Sequence, residues 1–109
     1  MEVTNDICPV THFTKMLGGK WKLVIINTLR KRGVIRFGQI AAAIPNISKK
    51  VLTDQLKSLE NDELIIRKQY QQIPPKVEYS LTKKGASLCS VFKTIEEWII
   101  ATQEYHLPI

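Results

Sequence analysis

The sequence predicts a mainly α chain with one small β-hairpin, on three observations. Apolar residues recur at helical spacing through most of its length. β-Branched and aromatic residues concentrate in two short runs flanking Pro74-Pro75. Gly, Pro and Asn punctuate the rest at intervals suited to short helices. With 109 residues, 44% apolar content and no repeat or low-complexity linker, residues 1–109 are expected to form a single domain.

The elements follow in order. Pro9 suits the first turn of a helix, where its missing amide costs nothing, and Gly18-Gly19 ends that helix. A second helix runs from about Lys20 to Arg32, with Trp21, Val24, Ile25 and Leu29 on one stripe. Basic residues fill its last turn and Gly33 stops it. Val34-Ile35 reads as an extended link. Arg36 to Ala43 forms a short third helix with Phe37, Ile40 and Ile44 inward, broken by Pro45-Asn46, where Asn46 suits a left-handed turn.

Ser48 then caps a fourth helix, Lys49 to about Asn61, whose Leu52, Leu56 and Leu59 share one face. Leu64 to Tyr70 and Val77 to Leu81 are the strands of the hairpin, joined by Gln71 to Lys76. Thr82 caps a long last helix from Lys83 to about Glu104, with Leu88, Val91, Phe92, Ile95, Trp98 and Ile99 on its apolar face. Helix, turn, helix, hairpin and helix in this order describe a winged helix-turn-helix with extra N- and C-terminal helices.

Charge is unevenly placed. The net charge is +6, from 16 Lys and Arg against 10 Asp and Glu, which favours a polyanionic partner. Ile7 to Thr53 holds nine basic residues and no acid, and a second basic block covers the hairpin. With Leu52, Leu56 and Leu59 inward, Lys50, Asp54 and Lys57 point outward, flanked by Thr53 and Ser58. Residues near the start of such a helix reach base edges, and a capping Ser and free amides hold phosphate. Lys49, Lys50 and Thr53 are therefore expected to read DNA, with Lys57 toward its backbone. Arg36, Ser48, Lys49 and Lys76 are expected on phosphates. A solvated helix would show the same face by itself; the acid-free stretch and the hairpin make duplex DNA the better joint account.

The last helix has an apolar face long for a domain of this size. Phe92, Ile95, Trp98 and Ile99 are expected at a homodimer interface, since two copies double the contacts on a palindrome, with packing inside one chain as the alternative. Cys8 precedes Pro9 at a helix start in a cationic setting, which favours a thiolate and makes it a candidate redox sensor; an inert thiol is the alternative.

Other classes find less support. Leu17-Gly18-Gly19-Lys20-Trp21 only superficially suggests a phosphate loop, because Phe13 and Trp21 replace its first Gly and its metal-binding Ser or Thr. Glu96-Glu97 point in different directions and make a poor acid/base pair. Cys8 and His12 would need Cys89 and His106 to complete a metal site. No catalytic residue, metal or cofactor is expected. Met1 to Asp6 lacks the features of a secretory signal and no apolar run spans a bilayer, so a cytoplasmic protein with no membrane partner and no disulfide is expected.

In sum, Cys8-Pro9-Val10, Leu17 to Trp21, Arg36-Phe37, Ile44-Pro45 with Ile47-Ser48, Leu52-Thr53, Leu56, Leu59-Glu60 and Pro74 to Thr82 make the chain resemble the HxlR-type family of bacterial winged helix-turn-helix transcription regulators. The resemblance implies a homodimer held by the terminal helices, with the fourth helix in the major groove and the hairpin as wing. It also implies activation or repression of genes, in some members through a thiol matching Cys8. The chain departs from the pattern at Asn46, at Glu63 and at Asp54-Gln55. Glu63 replaces a helix-ending Gly, which predicts a less left-handed turn. Asp54 puts an acid on the DNA side, where it either accepts from a cytosine amino group or pairs with a neighbouring Lys. A protein-interaction module and a small-molecule sensor without thiol chemistry remain the alternative functions.

Overall fold

A computed structural model describes residues 8–103. The expected helix end near Glu104, the acidic Met1 to Asp6 and His106 lie outside the described residues. Six helices and three short strands follow the order α1 (Pro9–Leu17), α2 (Lys22–Arg32), β1 (Ile35–Arg36), α3 (Phe37–Ala43), α4 (Lys49–Asn61), β2 (Ile65–Tyr70), β3 (Lys76–Leu81), α5 (Lys83–Ala86) and α6 (Cys89–Thr102).

Local chemistry sets most boundaries. Pro9 occupies the first turn of α1, and the left-handed residue after that helix is Gly19 (φ 95°). Gly33 (φ 77°) ends α2 behind Arg30, Lys31 and Arg32, whose charges complement the carbonyl end of the helix. Asn46 takes the left-handed conformation (φ 69°) in the turn between α3 and α4. Ser48 Oγ accepts from the Val51 amide at 3.1 Å and starts α4.

The core joins Leu17 of α1, Ile25, Ile26 and Leu29 of α2, Ile40 of α3 and Leu52, Leu56 and Leu59 of α4. Ile35 of β1, Ile44 after α3, Leu64, Ile65 and Tyr79 from the hairpin and Phe92 of α6 complete it. Each fully buried Leu or Ile here contributes on the order of 1.5–3 kcal/mol. The buried arc of α2 differs from expectation: Ile26 is fully buried and Val24 is exposed. The helix is wedged between α3 and β3, so its buried face is wider than a single stripe and rotated toward Ile26.

Two further departures concern pairing. Val34-Ile35 is more than a link, because Ile35 and Arg36 form β1 and pair antiparallel with Tyr79 and Glu78. The sheet has three strands in the order β1-β3-β2. The C-terminal helix is not continuous from Lys83. Thr82 Oγ1 accepts from the Gly85 amide at 3.0 Å and caps the short α5. Leu88 then donates to the Gly85 carbonyl at 3.1 Å, one residue tighter than an α-helical bond. This tight turn re-aims the chain, and α6 starts afresh at Cys89. Gly85 is needed there because a Cβ would collide with the Leu64 carbonyl oxygen.

The turn from α4 into β2 is also left-handed, with Glu63 at φ 60°, contrary to the expectation of a weaker turn where Gly is missing. The Leu64 amide reaches back to the Leu59 carbonyl and the Glu63 amide to that of Glu60, which is the pattern of a glycine-type helix end. Contacts with the start of α5 hold it. Thr82 Oγ1 donates to the Glu63 carbonyl at 2.6 Å, and Lys84 Nζ to that of Asp62 at 2.9 Å.

Among the described residues no helix is long and apolar enough to cross a membrane, and no three His, Cys, Asp or Glu side chains gather into a metal site.

Candidate nucleic-acid interface

The pattern of α4 is that of a helix seated on Leu52, Leu56 and Leu59 with its opposite face in solvent. Ser48, Lys49, Lys50, Asp54 and Lys57 are exposed, and Thr53 is half-buried on the flank. No acid occupies the first turn, so the amides there retain their affinity for an anion. Two of the expected readers are less free than their position suggests. Lys50 Nζ lies 2.8 Å from Asp54 Oδ2, one turn along the helix. The hydrogen bond and charge of Asp54 push the Lys50 pKa up, and those of Lys50 hold the Asp54 carboxyl below the ordinary carboxylate range. Of the two roles expected for Asp54, the chain therefore provides the neighbouring Lys as partner. Thr53 Oγ1 donates to the Lys49 carbonyl at 2.8 Å, leaving its lone pairs and methyl for a ligand.

Arg36 stands at the joint of β1 and α3, exposed, with its amide donating to Gln39 Oε1 at 2.9 Å. Its Cα partner in the sheet is Glu78, which is itself opposite Lys68. A cross-strand cluster forms on this outer face of the sheet. Tyr70 hydroxyl donates to Glu78 Oε1 at 2.9 Å, Lys76 Nζ lies 3.4 Å from Glu78 Oε2, and Lys68 and Lys76 both lie within 5 Å of the Tyr70 ring centre. The Tyr70 hydroxyl chiefly, and then Lys76 and Arg36, hold the Glu78 carboxyl below its ordinary range. Lys76 is thus half-buried and engaged at the loop end of the hairpin, opposite Tyr70, while Gln71, Gln72 and Ile73 form the exposed tip. Its Nζ keeps two protons for a phosphate, but from a fixed position.

Cys8 is the N-terminal cap of α1. Its Sγ accepts from the Thr11 amide at 3.3 Å and lies 3.2 Å from Thr11 Oγ1. The side-chain hydrogen bond of Thr11, followed by its amide, lowers the thiol pKa, and the sulfur is exposed. Cys89, by contrast, is partly covered at the start of α6.

The α6 stripe divides. Phe92 faces the core, Ile99 is half-buried, and Ile95 and Trp98 are exposed together with Val91 and Ile100. Glu96 belongs to an ion pair with Arg30 of α2. Arg67 was not among the residues expected at the interface, yet it lies beside α4. The signal that finds it is the strand register, which aligns it with the buried Tyr79.

Comparison with known proteins agrees with this architecture. The family profile described as HxlR-like helix-turn-helix matches residues 16–106. An HTH-type transcriptional regulator of Halalkalibacterium halodurans is 44% identical over 95 residues, covering 87% of this chain and 84% of its own. The redox regulator HypR in its oxidized form superposes with a TM-score of 0.78 at 35% identity, over 94% of this chain and 100% of that one. The reduced form of the transcriptional regulator YodB from Bacillus subtilis does so at 0.76 and 38%, over 87% and 93%. With an exposed polar helix set beside a hairpin and a match over most of its length, the chain belongs to the HxlR-like helix-turn-helix family of transcriptional regulators.

Proposed function

We propose that this chain is a homodimeric, sequence-specific regulator that lays α4 in the major groove of a palindromic operator and is controlled by thiol chemistry at Cys8. The observation that carries the reading is the N-terminal half of α4: an exposed, acid-free first turn, capped by Ser48 and flanked by the hairpin. Lys49, Lys50 and Thr53 read base edges. Arg36, Ser48, Lys49 and Lys76 hold phosphates, and Lys57 follows the backbone. The exposed Ile95 and Trp98 on α6, with Ile99 beside them and Phe92 supporting them from the core, support pairing of two copies. The exposed, hydrogen-bonded Cys8, and the likeness to a redox regulator, support the thiol control.

The test is selection of duplexes from a random library by the purified protein, with and without diamide. An enriched palindrome lost on oxidation is expected. If about three cations per subunit meet phosphate, the affinity of the dimer falls with log salt at a slope near −5. A slope near zero, or no enriched sequence, overturns the reading. An operator bound equally with and without diamide removes Cys8 from it.

A further inference from the structure

A cleft of about 310 Å³ lies between α4 and the inner face of the hairpin. Phe37, Leu56 and Tyr79 form its apolar floor, while Thr53 and Lys57 of α4 and Arg67 of β2 bring polar groups to it. Arg67 is unexpected there. Ile65 and Arg67 share the side of β2 that faces the core, because alternate strand residues point the same way, and Arg67 is in register with the buried Tyr79. At that register an apolar residue would extend the core at no electrostatic cost. Arg67 also lacks an acid partner: its one side-chain hydrogen bond among the described residues is a weak 3.5 Å contact with Gln69. Among the described residues it forms no ion pair with Glu60, the one acid lining the cleft, and Lys57 forms none either, although its charge reaches Asp54.

A guanidinium on the hairpin and an ammonium on α4 that line one cleft over an apolar floor suit a tetrahedral anion. We infer that this cleft seats a phosphate of the DNA backbone between Arg67 and Lys57, where the strand passes from the groove occupied by α4 to the hairpin. Thr53, half-buried at the same cleft, links the seat to the base-reading end of the helix. The inference rests on the DNA-binding reading above and adds to it a residue from the sheet, which fixes the register of the helix on the duplex and carries no sequence preference of its own.

The experiment measures fluorescence anisotropy of a library-selected duplex and of a scrambled duplex of the same composition, across about 50 to 200 mM salt. Arg67→Gln is expected to weaken both duplexes by the same factor, about tenfold per contact at the lower salt, and to reduce the salt slope of a dimer by about 2. Arg67→Lys restores the slope and part of the affinity. An unchanged thermal melt for Arg67→Gln, expected because the side chain is exposed, separates this from unfolding; if that variant melts early, the slope is read from Arg67→Lys against Lys57→Gln instead. Unchanged affinity and slope in Arg67→Gln, with the parent protein binding normally, overturns the phosphate seat alone. Weakening confined to the selected duplex overturns it as well, since Arg67 would then read a base. A parent protein that binds neither duplex fails the functional reading, a result distinct from both.

Discussion

Arg30 of α2 and Glu96 of α6 meet at 2.9 Å, and the guanidinium of Arg30 lies 5.1 Å from the centre of the Phe92 ring one turn before Glu96. Arg30 is also held by Asn27 Oδ1 at 3.0 Å, so its side chain is largely covered while Glu96 remains half in solvent. One charged residue thereby fastens the C-terminal helix to the centre of the fold through both a carboxylate and an aromatic face.

The two halves of that contact should be unequal. Arg30→Ala is expected to cost about 1–2 kcal/mol, since it strips the ring of its cover as well as breaking the pair. Glu96→Ala removes only a solvent-screened ion pair and should cost about 0.5 kcal/mol or less. Urea denaturation of the two single variants and the double variant checks this, and equal losses would show that the ring contact contributes nothing.

Thr11 sets the reactivity of Cys8. Because its hydroxyl and amide lower the thiol pKa, more thiolate is present at neutral pH than in an unperturbed cysteine, whose pKa is about 8.5. The rate of alkylation by iodoacetamide should rise with pH to a midpoint below that of a free thiol. Thr11→Val keeps the amide bond, loses the hydroxyl and should move the midpoint upward. Coincident profiles for parent and variant would remove Thr11 from the account.

Asp54 restrains Lys50. Under the proposed DNA-binding reading, Asp54→Ala frees the ammonium and removes an acid from the outward face of α4, so affinity for scrambled duplex should rise several-fold while the preference for a selected sequence narrows. The ratio of the two dissociation constants decides it. Since the Asp54 carboxyl is held below its ordinary range, the pair loosens only as pH falls through that depressed pKa, and discrimination should be flat from mildly acidic to neutral pH.

Glu63→Gly should stabilise the protein by about 0.5–1 kcal/mol. A left-handed backbone costs a residue with a Cβ about 1–2 kcal/mol, and part of that gain is offset by the extra freedom of Gly in the unfolded chain. A higher urea midpoint with unchanged slope is the expected result. Gly85→Ala, where a Cβ meets the Leu64 carbonyl, should lower it sharply.

Trp98 is 58% exposed on α6, beside Ile95. Under the proposed homodimer, Trp98→Glu should shift light scattering in solution from the mass of two chains to that of one without lowering the far-UV helix signal. Phe92→Ala should instead destabilise the subunit itself, by about 3–5 kcal/mol, because its ring belongs to the core.

Much of this protein was legible in the sequence wherever a short-range rule applied. Pro9, Gly33, Asn46 and Ser48 act through their own backbones or through neighbours within a turn, so the start of α1, the end of α2, the left-handed turn and the cap of α4 followed from residue order alone. The apolar spacing of Leu52, Leu56 and Leu59 likewise determined which side of α4 faces outward, and with it most of the candidate DNA-reading set. What only the tertiary structure decided involves partners far apart in the chain. A two-residue strand such as Ile35-Arg36 has no period of its own and exists through its pairing with β3. The break after Ala86 and the left-handed Glu63 arise where α5 is clamped against the end of α4. The fastening of Lys76 to Tyr70 and Glu78, the turning of Phe92 into the core, and the placing of Arg67 and Lys57 on one cleft are set by strand register and helix docking. Local rules act over three or four residues, whereas the environment of a charge is fixed by whatever the folded chain brings beside it.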